Sequence, residues 1–355
     1  MAMDGNSSAC VAQVHEQFRT NGSGFWVGAS QALKLLTVEA IPRALRQCVP
    51  HDASAPLLVL DVGAGIHGIR NLDHHEGNHV HPDDSDSLWL LRSLRDGAEV
   101  HAYEPNYAKA LELPRVAARR KATKNYTAHY YAHPWAVGEA VGHSCLRMGG
   151  GTLHANRWRS EPLRDQEPCQ DNAQGQGNLT YTTTIEAEAA RLSASRRVAY
   201  AKIDCEGGEV AVIRGSHRLL EAGLIELMSV EYAVGWRETH ETLKSFAQQM
   251  SALGYDTYLT HGGKLGATLF PVYGAFWHDD FEICDRPKKV YGGKWHCWND
   301  LLVVRRGNVC LRSKLMKATN ERVLPGHPAP RGARHVGKLV GGVFRRAFPA
   351  CALGV

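Results

Sequence analysis

The sequence predicts an α/β protein with a doubly wound, Rossmann-like sheet of seven mostly parallel strands and helices on both faces. A short apolar run, LLVLDV at residues 57–62, is followed at once by a glycine-rich turn. Further apolar or alternating runs are separated by helix-length segments, which implies parallel pairing through right-handed crossovers. Because such sheets bind ligands beyond the carboxyl ends of their strands, polar residues that follow strands are the candidate functional residues.

The N-terminal residues 1–50 are predicted to form a helical extension or lid. Apolar residues recur there at helical spacing as far as Ile41, where Pro42 interrupts the pattern. The main domain is expected over residues 51–310. Its strands are predicted at residues 57–62, 98–104, 128–137, 198–204, 225–231, 255–260 and 301–304, and its helices at 88–95, 106–120, 209–220 and 241–253.

Two polar stretches without sustained periodicity, residues 71–87 and 143–179, are interpreted as surface insertions. Histidines cluster in and before the first of them, where solvated loop side chains are the commoner explanation and a zinc site the weaker one. These histidines are His67, His74, His75, His79 and His81.

Residues 311–355 form a basic C-terminal tail that we expect to be flexible. It carries nine Lys or Arg against one acid, so the preceding residues are net acidic although the whole chain is +5. Weak peripheral contact of the tail with an anionic membrane surface is the alternative to a solvated tail. Nucleic acid is not an expected partner, because the body is net acidic and offers no recognisable RNA-binding module.

Cysteine usage and the absence of targeting patterns predict a cytoplasmic protein. The nine cysteines contain no CxxC pair, so reduced and mostly buried thiols are expected. The sequence shows neither a signal-peptide pattern nor an apolar run of transmembrane length. Asn-x-Ser/Thr triplets keep a secretory location open, with an N-terminal anchor missing from this sequence, and they begin at Asn6, Asn21, Asn125 and Asn178.

The turn after the first strand is the first cofactor signal. Gly63, Gly65 and Gly68 spell G-x-G-x-x-G, which suits NAD(P) and S-adenosylmethionine alike. Glu104, at the end of the second strand, can accept hydrogen bonds from ribose hydroxyls of either cofactor. Asp61 favours S-adenosylmethionine, because a carboxylate beside the loop would attract its ammonium group and repel a pyrophosphate.

The sequence KIDCEGGE at residues 202–209 is the more specific signal. It places Asp204, Glu206 and Glu209 at a strand-to-helix turn, which is costly without a ligand or cation. With DVGAG at 61–65, AYEP at 102–105, TTTIE at 182–186 and the strand at 228–232, it closely resembles the FkbM family of class I methyltransferases. The resemblance spans about residues 57–304, and the family's K-I-D-x-E-G-x-E motif matches here. Gly65 departs from the family, which usually has Asn at that position.

The resemblance implies an O-methyltransferase that uses S-adenosyl-L-methionine and acts on a hydroxyl of a sugar, glycan or other secondary metabolite. Methyl transfer needs alignment and a base for the hydroxyl proton, and the candidates are Asp204 or Glu206, oriented by Lys202. The expected cofactor-binding residues are Asp61, Gly63, Ala64, Gly65, Glu104, Trp135 and Asp204.

Several alternatives stay open at this point. Glu209 is equally well explained as a first-turn acid favoured by the helix dipole, and Glu231 as an acceptor-site residue or an ion-pair partner. A divalent metal at Asp204 and Glu206 is conceivable, but no third ligand is evident, so no metal is assigned. Aromatic clusters at 232–236 and 291–298 are candidates for stacking on a sugar or for loop packing. The competing functions are an NAD(P)-dependent oxidoreductase and an inactive methyltransferase-like binding module.

Overall fold

The computed structural model contains most of the predicted strands and helices. The helix predicted at 88–95 lies outside the described residues apart from Leu94. The described residues are 11–12, 14–16, 40–49, 56–64, 94, 97–124, 128–146, 161–162, 178–193, 197–205, 207–233, 236, 239–263, 266–282 and 298–320. Both predicted insertions lie largely outside them. Residues 321–355 of the predicted tail also lie outside.

The described strands and helices follow the predicted α/β alternation. The strands are β1 (Leu57–Val62), β2 (Ala98–Tyr103), β3 (His129–His133), β4 (Ala136–Val137), β5 (Gly142–Leu146), β6 (Glu161–Pro162), β7 (Asn178–Thr183), β8 (Val198–Ile203), β9 (Leu227–Ala233), β10 (Tyr255–Gly263), β11 (Gly266–Pro271) and β12 (Trp298–Arg305). The helices are α1 (Ile41–Cys48), α2 (Tyr107–Lys124), α3 (Ile185–Ser193), α4 (Glu209–Arg214), α5 (His217–Glu221), α6 (Leu243–Ala252) and α7 (Val309–Asn320).

A large sheet has the strand order β3-β2-β1-β8-β9-β12-β10-β11. Strands β3, β2, β1, β8 and β9 are mutually parallel, while β12 and β11 pair antiparallel with their neighbours. The predicted α/β fold with a mostly parallel sheet is therefore confirmed. The prediction of seven strands is wrong, because β11 adds an eighth. Gly262, Gly263 and Gly266 lie at the turn of the β10–β11 hairpin and weaken the strand pattern in the sequence.

Alternate residues of the buried strand β1 enter two separate cores. Leu58 and Leu60 pack in one core with residues of α3, α4 and α6. Leu57 and Val59 pack in the other with residues of α1, α2 and α7. Since successive strand residues point to opposite faces, helices cover both faces of the sheet.

A second, smaller sheet of order β4-β7-β5-β6 occupies part of the stretch predicted as an insertion. The single strand predicted at 128–137 is wrong, because β3 joins the large sheet and β4 the small one. The single helix predicted at 209–220 is also wrong, since Gly215 separates α4 from α5. A Cβ at Gly215 would overlap the carbonyl oxygen of Gly138, so the glycine lets the helix junction contact the small sheet.

The two ends of the folded body are joined covalently. Cys48 of α1 and Cys310 of α7 form a disulfide, so the expectation of reduced thiols is wrong for this pair. Their separation of 262 residues gives no local spacing signal. Pro42 lies in the first turn of α1, so the helix begins there instead of being interrupted, because the first turn needs no proline N–H.

Helix α7 includes the first ten residues of the predicted flexible tail. Its Leu311 and Leu315 are buried in the core that also contains α1. Among the described helices, none has the combination of length and apolarity required to cross a bilayer.

Candidate functional site

The carboxyl ends of β1, β2 and β8 meet at one edge of the large sheet. Val62 is in register with Tyr103 on one side and Ile203 on the other. Just beyond it, the N–H groups of Gly63 and Ala64 both donate to the carbonyl oxygen of Tyr103, at 3.0 and 3.1 Å. The structure thus brings together the glycine loop and the ends of the two neighbouring strands.

Gly63 is required by its position in this corner. It has a φ of +80°, which favours glycine. A Cβ at Gly63 would also overlap the carbonyl oxygen of Asp204, and the Asp204 N–H donates to Val62 O at 3.0 Å. The first glycine of the loop therefore contacts the start of the KIDCEGGE turn. Gly65, the next glycine, lies outside the described residues.

Glu104 follows β2 and lies beside the glycine loop. Its carboxylate Oε1 accepts the N–H of Asn106 at 2.8 Å, and its side chain is largely buried. Burial raises the pKa of Glu104 above its usual value, partly opposed by that hydrogen bond. The Glu104 N–H donates to His133 O at 3.0 Å, which brings the end of β3 into the same corner.

Lys202 lies between two carboxylates at the end of β8. Its Nζ is 3.1 Å from Asp204 Oδ2 and 3.7 Å from Asp61 Oδ1. Asp61 is fully enclosed and Lys202 is 5% exposed, whereas the Asp204 side chain is 25% exposed. A buried lysine between two acids compensates their charge and fixes the orientation of the more exposed one.

Glu209 holds the turn that follows Asp204. Its Oε1 accepts the N–H groups of Cys205 and Gly207, at 2.8 and 3.0 Å, and its Oε2 also accepts the Gly207 N–H at 3.1 Å. Burial raises the pKa of Glu209 to about 7, although these hydrogen bonds act in the opposite direction and lower the pKa. Burial also raises the pKa of the Cys205 thiol. Glu206 lies outside the described residues.

Carboxylate oxygens of Asp204, Glu209 and Glu231 converge to within 4.8 Å of one another. Sequence spacing gave no evident third metal ligand beside Asp204 and Glu206, whereas the fold places Glu209 of α4 and Glu231 of β9 beside Asp204. Mutual repulsion raises the energy of the fully ionised cluster. Burial, and to a lesser extent the nearby Asp204 carboxylate, raise the pKa of Glu209 accordingly.

The aromatic residues at 232–236, candidates for stacking on a sugar or for loop packing, are core residues. Tyr232 and Trp236 are each 1% exposed. The Tyr232 hydroxyl donates to Glu282 at 2.6 Å, and the Trp236 N–H donates to Glu231 O at 3.0 Å. The stacking alternative is therefore wrong for both, because Tyr232 lies in β9, which extends to Ala233, and both side chains pack in the core. Residues 291–297 of the second aromatic cluster lie outside the described residues.

Trp135 lies between β3 and β4 and is partly buried. Its ring centroid is 5.0 Å from that of His133 and 5.6 Å from that of Tyr181. Arg191 of α3 lies over the ring, with Cζ 5.6 Å from the centroid. Burial, with the neighbouring His101, lowers the pKa of His133 to about 4, so this imidazole is neutral at physiological pH.

Sequence reasoning missed the residues of α3 that contact this region. Glu188 and Arg191 form an ion pair with 2.7 Å between Nη2 and Oε2. Their i,i+3 spacing was the available signal, but such pairs are common on exposed helices and do not indicate a site by themselves.

One comparison with known proteins identifies a family. The model of the methyltransferase FkbM domain matches residues 61–257, just over half of the chain. The match includes the glycine loop, Glu104 and the turn from Lys202 to Glu209. No curated protein matches the chain. With these motifs gathered at one edge of a mostly parallel sheet, the chain belongs to the FkbM methyltransferase family.

Proposed function

We propose that the protein is an S-adenosyl-L-methionine-dependent O-methyltransferase that acts on a hydroxyl of a sugar, glycan or secondary metabolite. The family match supports methyl transfer. The two helix-covered faces of the sheet support the doubly wound, class I description. The observation that carries the proposal is the corner formed by Gly63, Glu104 and Asp204, which combines a cofactor cradle with an accessible carboxylate.

The residues of this corner fit the cofactor. Glu104 lies next to the glycine loop, where its carboxylate is suited to accept bonds from two ribose hydroxyls. Trp135, beyond the end of β3, offers a flat ring for the adenine base. Asp61 is enclosed and faces Lys202, so we assign it to charge compensation instead of direct contact with the cofactor ammonium. When bound, S-adenosylmethionine supplies an electrophilic methyl group.

Asp204 is the proposed general base. Its side chain is 25% exposed, whereas Glu209 is fully buried, so an acceptor can reach Asp204 more readily. Lys202 holds Oδ2, which leaves Oδ1 to take the proton of the acceptor hydroxyl. The hydroxyl oxygen would then bond to the methyl carbon as the bond from that carbon to sulfur breaks, with S-adenosylhomocysteine as the leaving group. Glu209 stabilises the conformation of the turn by accepting hydrogen bonds from the N–H groups of Cys205 and Gly207. Glu206 remains the alternative base.

Calorimetry with S-adenosylmethionine and S-adenosylhomocysteine tests the cofactor assignment. We expect saturable binding that Glu104→Ala weakens by roughly tenfold or more, as expected for lost bonds to a charged group. Glu112→Ala, which removes a partly exposed carboxylate from α2, is the matched control and should bind normally. Absence of binding by the natural chain would overturn the proposal. An ultraviolet difference spectrum with NADH then tests the oxidoreductase alternative.

An assay of turnover distinguishes an enzyme from an inactive binding module of the same fold. Mass spectrometry with a panel of glycans and hydroxylated metabolites should reveal a mass gain of one methyl group. Cofactor binding without any product across the panel would instead favour the inactive module.

We also propose an oxidising compartment, the secretory alternative, in place of the cytoplasm expected from the sequence. The Cys48–Cys310 disulfide supports it, because cytosolic thiols are normally kept reduced. Peptide mapping of the natural protein, alkylated before digestion without reductant, should recover the cross-linked peptides. Recovery of both cysteines in alkylated form would contradict this proposal.

A further inference from the structure

Glu188 is a buried carboxylate that gathers side chains from three parts of the fold. It is 3% exposed. Its Oε2 accepts the hydroxyl of Tyr103 at 3.0 Å, and its Oε1 accepts the hydroxyl of Thr183 at 2.9 Å. Its Oε2 also accepts Nε and Nη2 of Arg191, at 3.0 and 2.7 Å. Strand β2, strand β7 and helix α3 are therefore joined at one side chain.

These hydrogen bonds fix the guanidinium group of Arg191. Two of its nitrogens are held by one carboxylate oxygen, and its Cζ lies 5.6 Å from the ring centroid of Trp135. A guanidinium at this distance attracts the face of an indole ring. Glu188 thus restricts Arg191, and Arg191 in turn restricts the orientation of Trp135.

The Trp135 ring is also held from other directions. The Tyr181 ring meets it edge-on, with 79° between the ring planes, and the His133 ring lies tilted beside it. Trp135 nevertheless keeps part of its surface exposed. A rigid aromatic ring with an accessible part has the properties of a stacking platform for a planar ligand.

The same residues connect to the cofactor corner through the backbone. Tyr103, whose hydroxyl bonds Glu188, offers its carbonyl oxygen to the N–H groups of Gly63 and Ala64. His133, whose ring contacts Trp135, offers its carbonyl oxygen to the N–H of Glu104. In a nucleoside, the base is attached to the ribose carbon next to the one bearing the 2′-hydroxyl. The base of a ribose held by Glu104 therefore lies close to Glu104, whose N–H is bonded to the end of β3 at His133.

We propose that Glu188 and Arg191 are positioning residues that hold the Trp135 ring as the platform for the adenine base. This inference rests on the proposed function. Arg191 also compensates the charge of the buried Glu188, so its loss should reduce folding stability as well as affinity. The contact of Arg191 with the Trp135 ring, which restricts the orientation of that ring, is more specific than this effect on stability.

Arg191→Gln tests the proposal against a control arginine that also pairs with a glutamate of α3. Arg218→Gln removes an arginine that is 84% exposed and pairs with Glu186 of α3. We expect Arg191→Gln to weaken binding of S-adenosylhomocysteine by about threefold to tenfold, measured by calorimetry, with kcat nearly unchanged. Arg191→Lys should recover part of the affinity, and Arg218→Gln should bind normally. Unchanged affinity in Arg191→Gln would overturn the inference.

Trp135→Phe provides the second arm of the test. Binding of S-adenosylhomocysteine should alter the tryptophan emission of the natural chain, and Trp135→Phe should lose most of that change. Arg191→Gln should then have little further effect on affinity, since its action runs through the indole ring. If Arg191→Gln reduced the affinity equally in the natural chain and in Trp135→Phe, the inference would be contradicted and the cofactor assignment would stand. If the natural chain binds no cofactor, the proposed function itself fails.

Discussion

The backbone of Gly63 lies so close to the carbonyl group of Asp204 that no side chain fits between them. The Asp204 N–H also donates to the carbonyl oxygen of Val62, at 3.0 Å. About 140 residues of sequence separate the two motifs, yet the parallel pairing of β1 with β8 locks them into one corner. A change in the glycine loop should therefore disturb the carboxylate that we propose as the base.

Gly63→Ala should destabilise the chain by about 2 to 4 kcal/mol, through overlap with Asp204 and the left-handed φ. Urea denaturation measures this loss. Gly97→Ala is the matched control, because Gly97 has a nearly equal φ of +78° but nothing within 4 Å of an added Cβ. It should lose only about 1 to 2 kcal/mol. Equal losses in the two variants would show that the overlap with Asp204 has no energetic effect.

The sequence predicted the elements whose signals are local. Strand β1 was predicted at its observed bounds, because a buried parallel strand is a continuous apolar run that ends at a glycine turn. The positions of Glu104 and Lys202 follow from the same rule, since each lies at the end of a parallel strand. Strand β11 escaped prediction because its flanking glycines resemble those of a loop.

Contacts between distant segments were beyond sequence reasoning. The partner of Cys48 lies 262 residues away, so spacing carries no information about the pair. Tyr232 and Trp236 have the composition of a sugar-binding loop, and only the continuation of β9 shows that they are buried. Glu231 comes near Asp204 because β8 and β9 are adjacent, which the sequence implied without giving the distance.

Asp204→Asn should reduce methyl transfer by about 100-fold or more while cofactor affinity changes little. The substitution keeps the size of the side chain but removes the base that receives the hydroxyl proton. Turnover and calorimetry on the same preparation measure the two effects. Asp279→Asn, which changes a carboxylate that is 75% exposed, should leave both unchanged. Full turnover by Asp204→Asn would show that Asp204 is not the base and would favour Glu206 in that role.

Lys202→Met should destabilise the chain by about 3 to 5 kcal/mol, because it leaves the enclosed Asp61 without the cation 3.7 Å away. Denaturant unfolding measures the loss. The double variant Lys202→Met with Asp61→Asn should recover part of it, since the uncompensated charge is then removed. If the two single losses simply add in the double variant, Asp61 and Lys202 do not compensate each other.

Replacing both Cys48 and Cys310 with serine should lower the free energy of unfolding by about 2 to 5 kcal/mol, because the cross-link restricts a long loop of the unfolded chain. Thermal unfolding with and without reductant measures the effect. Reductant should lower the melting temperature of the natural chain and leave that of the double variant unchanged. A natural chain insensitive to reductant under unfolding conditions would show that the cross-link does not form.

Glu209→Gln should make stability less dependent on pH between about 4.5 and 7. Burial raises the pKa of Glu209 from an ordinary 4.5 to about 7, so the folded chain binds more protons at this site than the unfolded chain in that range. The stabilisation from the protonated carboxyl is complete below pH 4.5 and is lost as pH rises through about 7. Glutamine keeps an oxygen acceptor for the N–H groups of Cys205 and Gly207 without ionising. Urea midpoints at pH 5 and pH 8 should therefore differ less in Glu209→Gln than in the natural chain, and equal differences would refute the assignment.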